Sequence, residues 1–189
     1  MPGNVCAMIR THYFGKFIVS LAGTAATIMA VALPHSSSAQ DKTPPAQERI
    51  GVYDSRAVAM AYVGSTFQVR KMYDLTAQMK RAREVGDTNR VSQLETAGRE
   101  WQSNLHRQGF GTAPVNDILA EIAGDLPAIQ QTTGVTSLVS KWNKAELDRH
   151  ANAARVDVTM RLVDAFQPNE TQRKRAIEIQ KTKPQKIKD

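Results

Sequence analysis

Apolar residues recur along this chain with two periods, and each change of period marks an element. From Val58 to Arg107 the spacing is helical. Val91, Leu94, Gly98, Trp101 and Leu105 fall at steps of three and four, the a/d spacing of a helix packed along a partner. Tyr62, Val69, Met72 and Met79 supply that partner, with Arg70, Lys71, Lys80 and Arg81 mostly on the other side. Gly86-Asp87-Thr88 divides the halves: glycine can take the left-handed conformation that ends one helix, and Asp87 or Thr88 can cap the next. The pattern predicts an antiparallel helical hairpin over 57–107, with arms roughly 20 to 28 residues and about 30 to 40 Å long. Gly64 costs about 1 kcal/mol in a helix interior, so it predicts a bend where the first arm begins.

The alternating period appears first in Arg49-Ile50-Gly51-Val52-Tyr53, which predicts a short strand, followed by Asp54 and Ser55 as caps for a helix starting near Arg56. Beyond the hairpin, two glycines and a proline in 108–114 predict a loop, with Phe110 as its anchor in the core. Val115, Ile118, Leu119, Ile122, Leu126 and Ile129 then form an apolar helical stripe, interrupted by Pro127 and stopped by Gly134. The β-rich run from Val135 to Trp142 predicts a second strand, and 155–159 a third or its end. The segment 143–155 is polar and without clear period. Thr159 caps a short helix, Met160 to Phe166; Pro168 ends it, and Asn169 caps a basic helix through Gln180. That last helix has only Ala176, Ile177 and Ile179 to bury, so it is expected to be marginal or ordered by a partner. The elements together predict an α+β fold, a small β body with a protruding helical hairpin.

Composition changes this picture at both ends. Residues 1–39 carry Arg10 and Lys16, no acidic residue and the chain's only cysteine, Cys6. A basic start, an apolar run from Phe17 to Leu33 and the small residues Ser37-Ser38-Ala39 predict a secretory signal cleaved near Ala39; an N-terminal membrane anchor is the alternative. Residues 40–48, with Pro44-Pro45, read as a flexible tether, 49–168 as the folded domain and 169–189 as a basic tail. A secreted chain with no cysteine left must rely on its core and on assembly, which fits a bacterial periplasm. Removing Arg10 and Lys16 from the 25 basic residues leaves 23 against 18 acidic ones, a net of plus five. From Gln172 to Asp189 seven basic residues face two acidic ones, so the excess sits in the tail. That argues against nucleic acid spread over a basic face. Arg173, Lys174, Arg175, Lys181 and Lys183 become candidate contacts to anionic lipid or an acidic surface.

Motifs that carry chemistry are missing. Neither His106 nor His150 has a histidine, cysteine or carboxylate three or four residues after it in a zinc-like arrangement, no Gly-x-Ser-x-Gly elbow occurs, and 109–114 lacks the lysine of a phosphate loop. Asp117, Glu121 and Asp125 line up on one helix face, which reads as the solvated side opposite the apolar stripe. Arg56 beside Asp54 reads as an ion pair, of little energetic weight if exposed. The expectation is a protein that is not an enzyme and takes no cofactor or metal.

The order of elements resembles the Skp/OmpH family of periplasmic chaperones. The likeness is carried by Arg49-Ile50-Gly51-Val52-Tyr53-Asp54-Ser55-Arg56 at the first strand, by 134–141 at the second, and by Val156-Asp157-Val158-Thr159 leading into Met160 to Phe166. The string Tyr53 to Ala59 is also similar to one in secreted bacterial proteins. The resemblance implies a homo-oligomer, a trimer if it is Skp-like, whose arms hold unfolded or outer-membrane proteins. Met60, Met72 and Met79 are then the candidate client contacts, because flexible methionines adapt to varied partners; their helical core spacing, however, favours packing within the hairpin. The rival expectation is an envelope structural or adaptor protein that touches anionic surfaces through its tail, and a third is an enzyme with an unrecognised site near 109–114.

Overall fold

A computed structural model describes residues 47–187. The expected signal segment 1–39 and most of the tether lie outside the described residues. The alternating run becomes strand β1 (Arg49–Tyr53), joined by β2 (Ser137–Ser140) and β3 (Ala154–Asp157) in a three-stranded sheet of order β2-β1-β3. Both pairings are parallel: Gly51 lies opposite Leu138 on one side and Val156 on the other. Parallel neighbours need long crossovers, and here everything from Ser55 to Thr133 lies between β1 and β2. The sheet is covered on both faces, as parallel sheets are. Ile50 and Val52 face a small cluster with Val139, Leu147 and Ala153, beneath α6 (Lys144–Arg149); Tyr53 belongs to the main core.

The main core is built around α1 (Ser55–Tyr62), whose Ala57, Val58, Ala59, Ala61 and Tyr62 are all buried. The predicted bend is a break. Val63-Gly64-Ser65 separates α1 from α2 (Thr66–Glu84); Gly64 has φ of 80°, and the Ser65 side chain accepts from the Gln68 N–H to start the new helix. Helix α3 (Thr88–Phe110) follows the turn at Gly86, with Asp87 accepting from the Arg90 N–H at 2.8 Å. The short helices α4 (Asn116–Ala120) and α5 (Leu126–Thr133) carry the apolar stripe as two pieces, with Pro127 in the first turn of the second. Helix α7 (Thr159–Ala165) adds Leu162 and Val163, and Phe166 after it meets Tyr62 and Phe67 edge to face, with ring centroids 6.1 and 5.9 Å away.

Two expectations are corrected. The segment 108–110 is helical, not a loop. The Gln108 side chain is buried and donates to the Pro114 carbonyl at 2.9 Å and to Asp117 Oδ1 at 2.6 Å, and Gly109 sits against the Met60 side chain. Packing of this kind overrides glycine's low helix propensity, and the chain leaves the helix only at Gly111. The basic C-terminal helix, α8 (Glu170–Gln180), is docked on its own chain and not left to a partner. Ala176 is fully buried among the core residues, and Gln172 donates to the Val63 carbonyl at 3.0 Å.

Candidate functional site

Helices α2 and α3, about 28 and 35 Å long at 1.5 Å per residue, share a thin seam. Moving out along α2, its partners lie progressively further back along α3: Lys71 Nζ stands 5.2 Å from the Trp101 ring, Leu75 packs over Gly98, and Gln78 accepts from Arg90 at 3.0 Å. Of the seam's apolar residues only Ala82 and Leu94 are buried outright. A groove runs along each side of the seam. One, of about 540 Å³, is lined by Met72, Leu75, Met79, Leu94 and Leu105; the other, of about 380 Å³, by Phe67, Lys71, Leu75 and Trp101. Val69, Met72 and Tyr73, neighbours on one face of α2 at three- and four-residue steps, are 41, 50 and 72 % exposed. Such an apolar stripe beside an open groove is a surface that can take up another apolar chain.

The three candidate methionines are not brought together. Met72 and Met79 share the α2–α3 groove, whereas Met60 sits on α1 in a separate cleft with Leu105, Phe110 and Ile179. The basic tail residues also divide. Arg173 is held by Asp164 at 2.8 Å and Lys181 by Glu178 at 2.8 Å, while Lys174, Arg175 and Lys183 are exposed. His106 stacks on Phe110, with ring centroids 5.0 Å apart, and His150 lies 2.9 Å from Glu48. The acidic row does more than face solvent: Asp117 accepts from Gln108, and together with burial, the largest influence, Glu121 and Asp117 push the Tyr62 hydroxyl up to about 12.

Sequence reasoning gave little weight to the most tightly bonded polar cluster. At the carboxyl end of β1, Asp54 and Arg56 are both buried, 1 and 0 % exposed. Asp54 Oδ1 accepts from Arg56 Nε at 3.2 Å, from the Arg56 backbone N–H at 3.0 Å and from Trp142 Nε1 at 3.1 Å; Oδ2 accepts from Arg56 Nη2 at 2.9 Å and Lys141 Nζ at 2.7 Å. Arg56 Nη1 donates to the Thr182 carbonyl at 3.0 Å, and its guanidinium stands 4.9 Å from the centre of the Trp142 ring. Burial alone would push the Asp54 carboxyl up. The hydrogen bonds from Arg56, Lys141 and Trp142, with the Arg56 charge, outweigh it and hold the carboxyl below its usual range. A carboxylate with five donors on it has no lone pair to spare for proton transfer or attack, so the cluster works as a clamp. It ties β1, the residues after β2 and the chain after α8 to one another.

Among the described residues no three His, Cys, Asp or Glu side chains gather as metal ligands would, and no helix is long and apolar enough to cross a membrane. No protein family, curated protein or solved structure matches this chain.

Proposed function

We propose that this is a secreted, periplasmic, non-catalytic protein that holds unfolded or outer-membrane polypeptides along α2 and α3, which act as a protruding antiparallel hairpin in the manner of the Skp/OmpH family. The observation that carries this reading is the exposed stripe Val69, Met72 and Tyr73 beside the groove of Met72, Leu75 and Met79. Methionine suits the task because its three rotatable bonds and polarizable sulfur adapt to many apolar surfaces. Val69, Met72 and Tyr73 lie outside the main core, so this stripe can serve a client without cost to the fold. Copies of the chain assemble, as a trimer if the family likeness extends so far, so that several hairpins surround one client.

The test is dilution of a urea-denatured outer-membrane protein with and without this protein. Suppressed light scattering is expected, and suppression should fall at least severalfold in the variant M72S/Y73S, whose melting temperature should stay within a few degrees because both residues are exposed. Equal aggregation with and without the protein would reject the reading.

A second reading rests on exposed Lys174, Arg175 and Lys183. There the tail side contacts anionic lipid, and binding to anionic vesicles should weaken with added salt.

A further inference from the structure

Next to the larger α2–α3 groove, with which it shares Leu105, α1, α3 and α8 line a cleft of about 630 Å³, within the size range of small-ligand sites. Its floor is apolar: Met60 from α1, Leu105 and Phe110 from α3, and Ile179 from α8. The walls are fixed to one another. Gly109 lets α3 close onto Met60, α8 is anchored by buried Ala176, and the chain after α8 returns to α3 through the bond from the Gln185 N–H to the Phe110 carbonyl at 2.8 Å. The rim is polar and carries more positive than negative charge. Lys181 is neutralised by Glu178 at 2.8 Å, whereas Arg175 has no ion pair among the described residues. An apolar floor with one uncompensated guanidinium at its edge is complementary to a molecule with an alkyl chain and a single anionic head.

We propose that this cleft binds a single-chain anionic amphiphile, a free fatty acid, with its alkyl chain on Met60, Leu105, Phe110 and Ile179 and its carboxylate on Arg175. This does not rest on the polypeptide-holding reading, because the cleft and the exposed stripe of α2 use different residues. Arg175, taken from sequence as a contact to an anionic surface, becomes the head-group residue of a defined site.

The experiment is calorimetric titration of the purified protein with octanoate, decanoate and dodecanoate below their micellar concentrations, with dodecanol as the uncharged comparison. One saturable site is expected, and each added methylene should tighten binding about fourfold until the cleft is full. Arg175→Glu should weaken dodecanoate at least tenfold. His106→Trp, at an exposed position that lines this cleft and neither α2–α3 groove, should block the mouth and abolish binding. Arg175→Gln gives a milder second variant should either of these fail to fold, as judged by circular dichroism. Absence of saturable binding, binding indifferent to both variants, or dodecanol binding as tightly as dodecanoate would each overturn the proposal. So would a dimer in light scattering that His106→Trp dissociates, since the cleft would then belong to a second copy.

Discussion

Replacing Arg56 with methionine isolates the clamp at the carboxyl end of β1. Methionine keeps most of the stem and its volume, so packing around α1 changes little while the guanidinium is lost. Three hydrogen bonds go with it, two to Asp54 and one to the Thr182 carbonyl, together with the contact over Trp142. Asp54 stays buried as an anion, and among the described residues half-buried Lys141 is the counter-charge left on it. Breaking a buried pair from one side costs about 3–5 kcal/mol, against a total stability of about 5–15 kcal/mol for a domain. At roughly 3 °C per kcal/mol for a chain of this size, the melting temperature should fall by about 10–15 °C. The doubly changed Asp54→Asn, Arg56→Met protein should recover part of that loss. Asparagine keeps the cap acceptor for the α1 backbone and removes the stranded charge. The pH dependence carries its own sign. The folded carboxyl titrates below its unfolded value, so the clamp's stabilisation is complete above about pH 4 and is lost as pH falls through the folded pKa. Thermal melts by circular dichroism at pH 7 and at pH 3 read both effects. A loss under about 1 kcal/mol for Arg56→Met at pH 7 would refute the argument, because that is the weight of a solvated surface pair.

Three further outcomes follow from the packing. The Tyr62 hydroxyl, pushed up to about 12, should remain un-ionised in an ultraviolet titration until close to that pH or until the protein unfolds. Its folded pKa is raised above 10, so the associated stability, about 3 kcal/mol, is complete below pH 10 and is lost as pH rises toward 12. Gly64→Ala forces a side chain onto a φ of 80° and brings its Cβ within 2.8 Å of Gln172 Nε2, so a loss of about 1–3 kcal/mol is expected in urea unfolding. Gln108→Ala leaves the Pro114 carbonyl and Asp117 without their donor and should cost about 1–3 kcal/mol by the same assay.

How far the sequence revealed these features depended on how local each was. Strand β1 followed from the alternation in Arg49–Tyr53, the turn at Gly86-Asp87 from glycine and a capping aspartate, and the break at Gly64 from a helix-disfavouring residue in a helical run. Each of these is decided by a few adjacent residues. Features settled by distant partners were not legible. Helix α3 runs through Gly109 because Met60, far back in the sequence, closes on it. Helix α8 holds its place because Ala176 enters a core that begins at Tyr53. The Asp54–Arg56 pair was visible as two neighbouring charges, but its weight depends on burial by Trp142, Lys141 and Thr182, which no local spacing encodes. Parallel pairing was equally hidden, since strands of four or five residues carry no mark of direction. The candidate methionines separated for the same reason: the break at Gly64 puts Met60 on α1 and leaves Met72 and Met79 on α2.

If α2 and α3 hold unfolded polypeptide, a bound client must shield their backbone from solvent. Hydrogen–deuterium exchange of this protein, alone and with a denatured outer-membrane protein, reads that shielding. The client should slow exchange across 66–110, most strongly around Val69 to Met79, and leave β1 and α7 unchanged. Protection confined to other elements, or none at a client concentration where aggregation is suppressed, would contradict it.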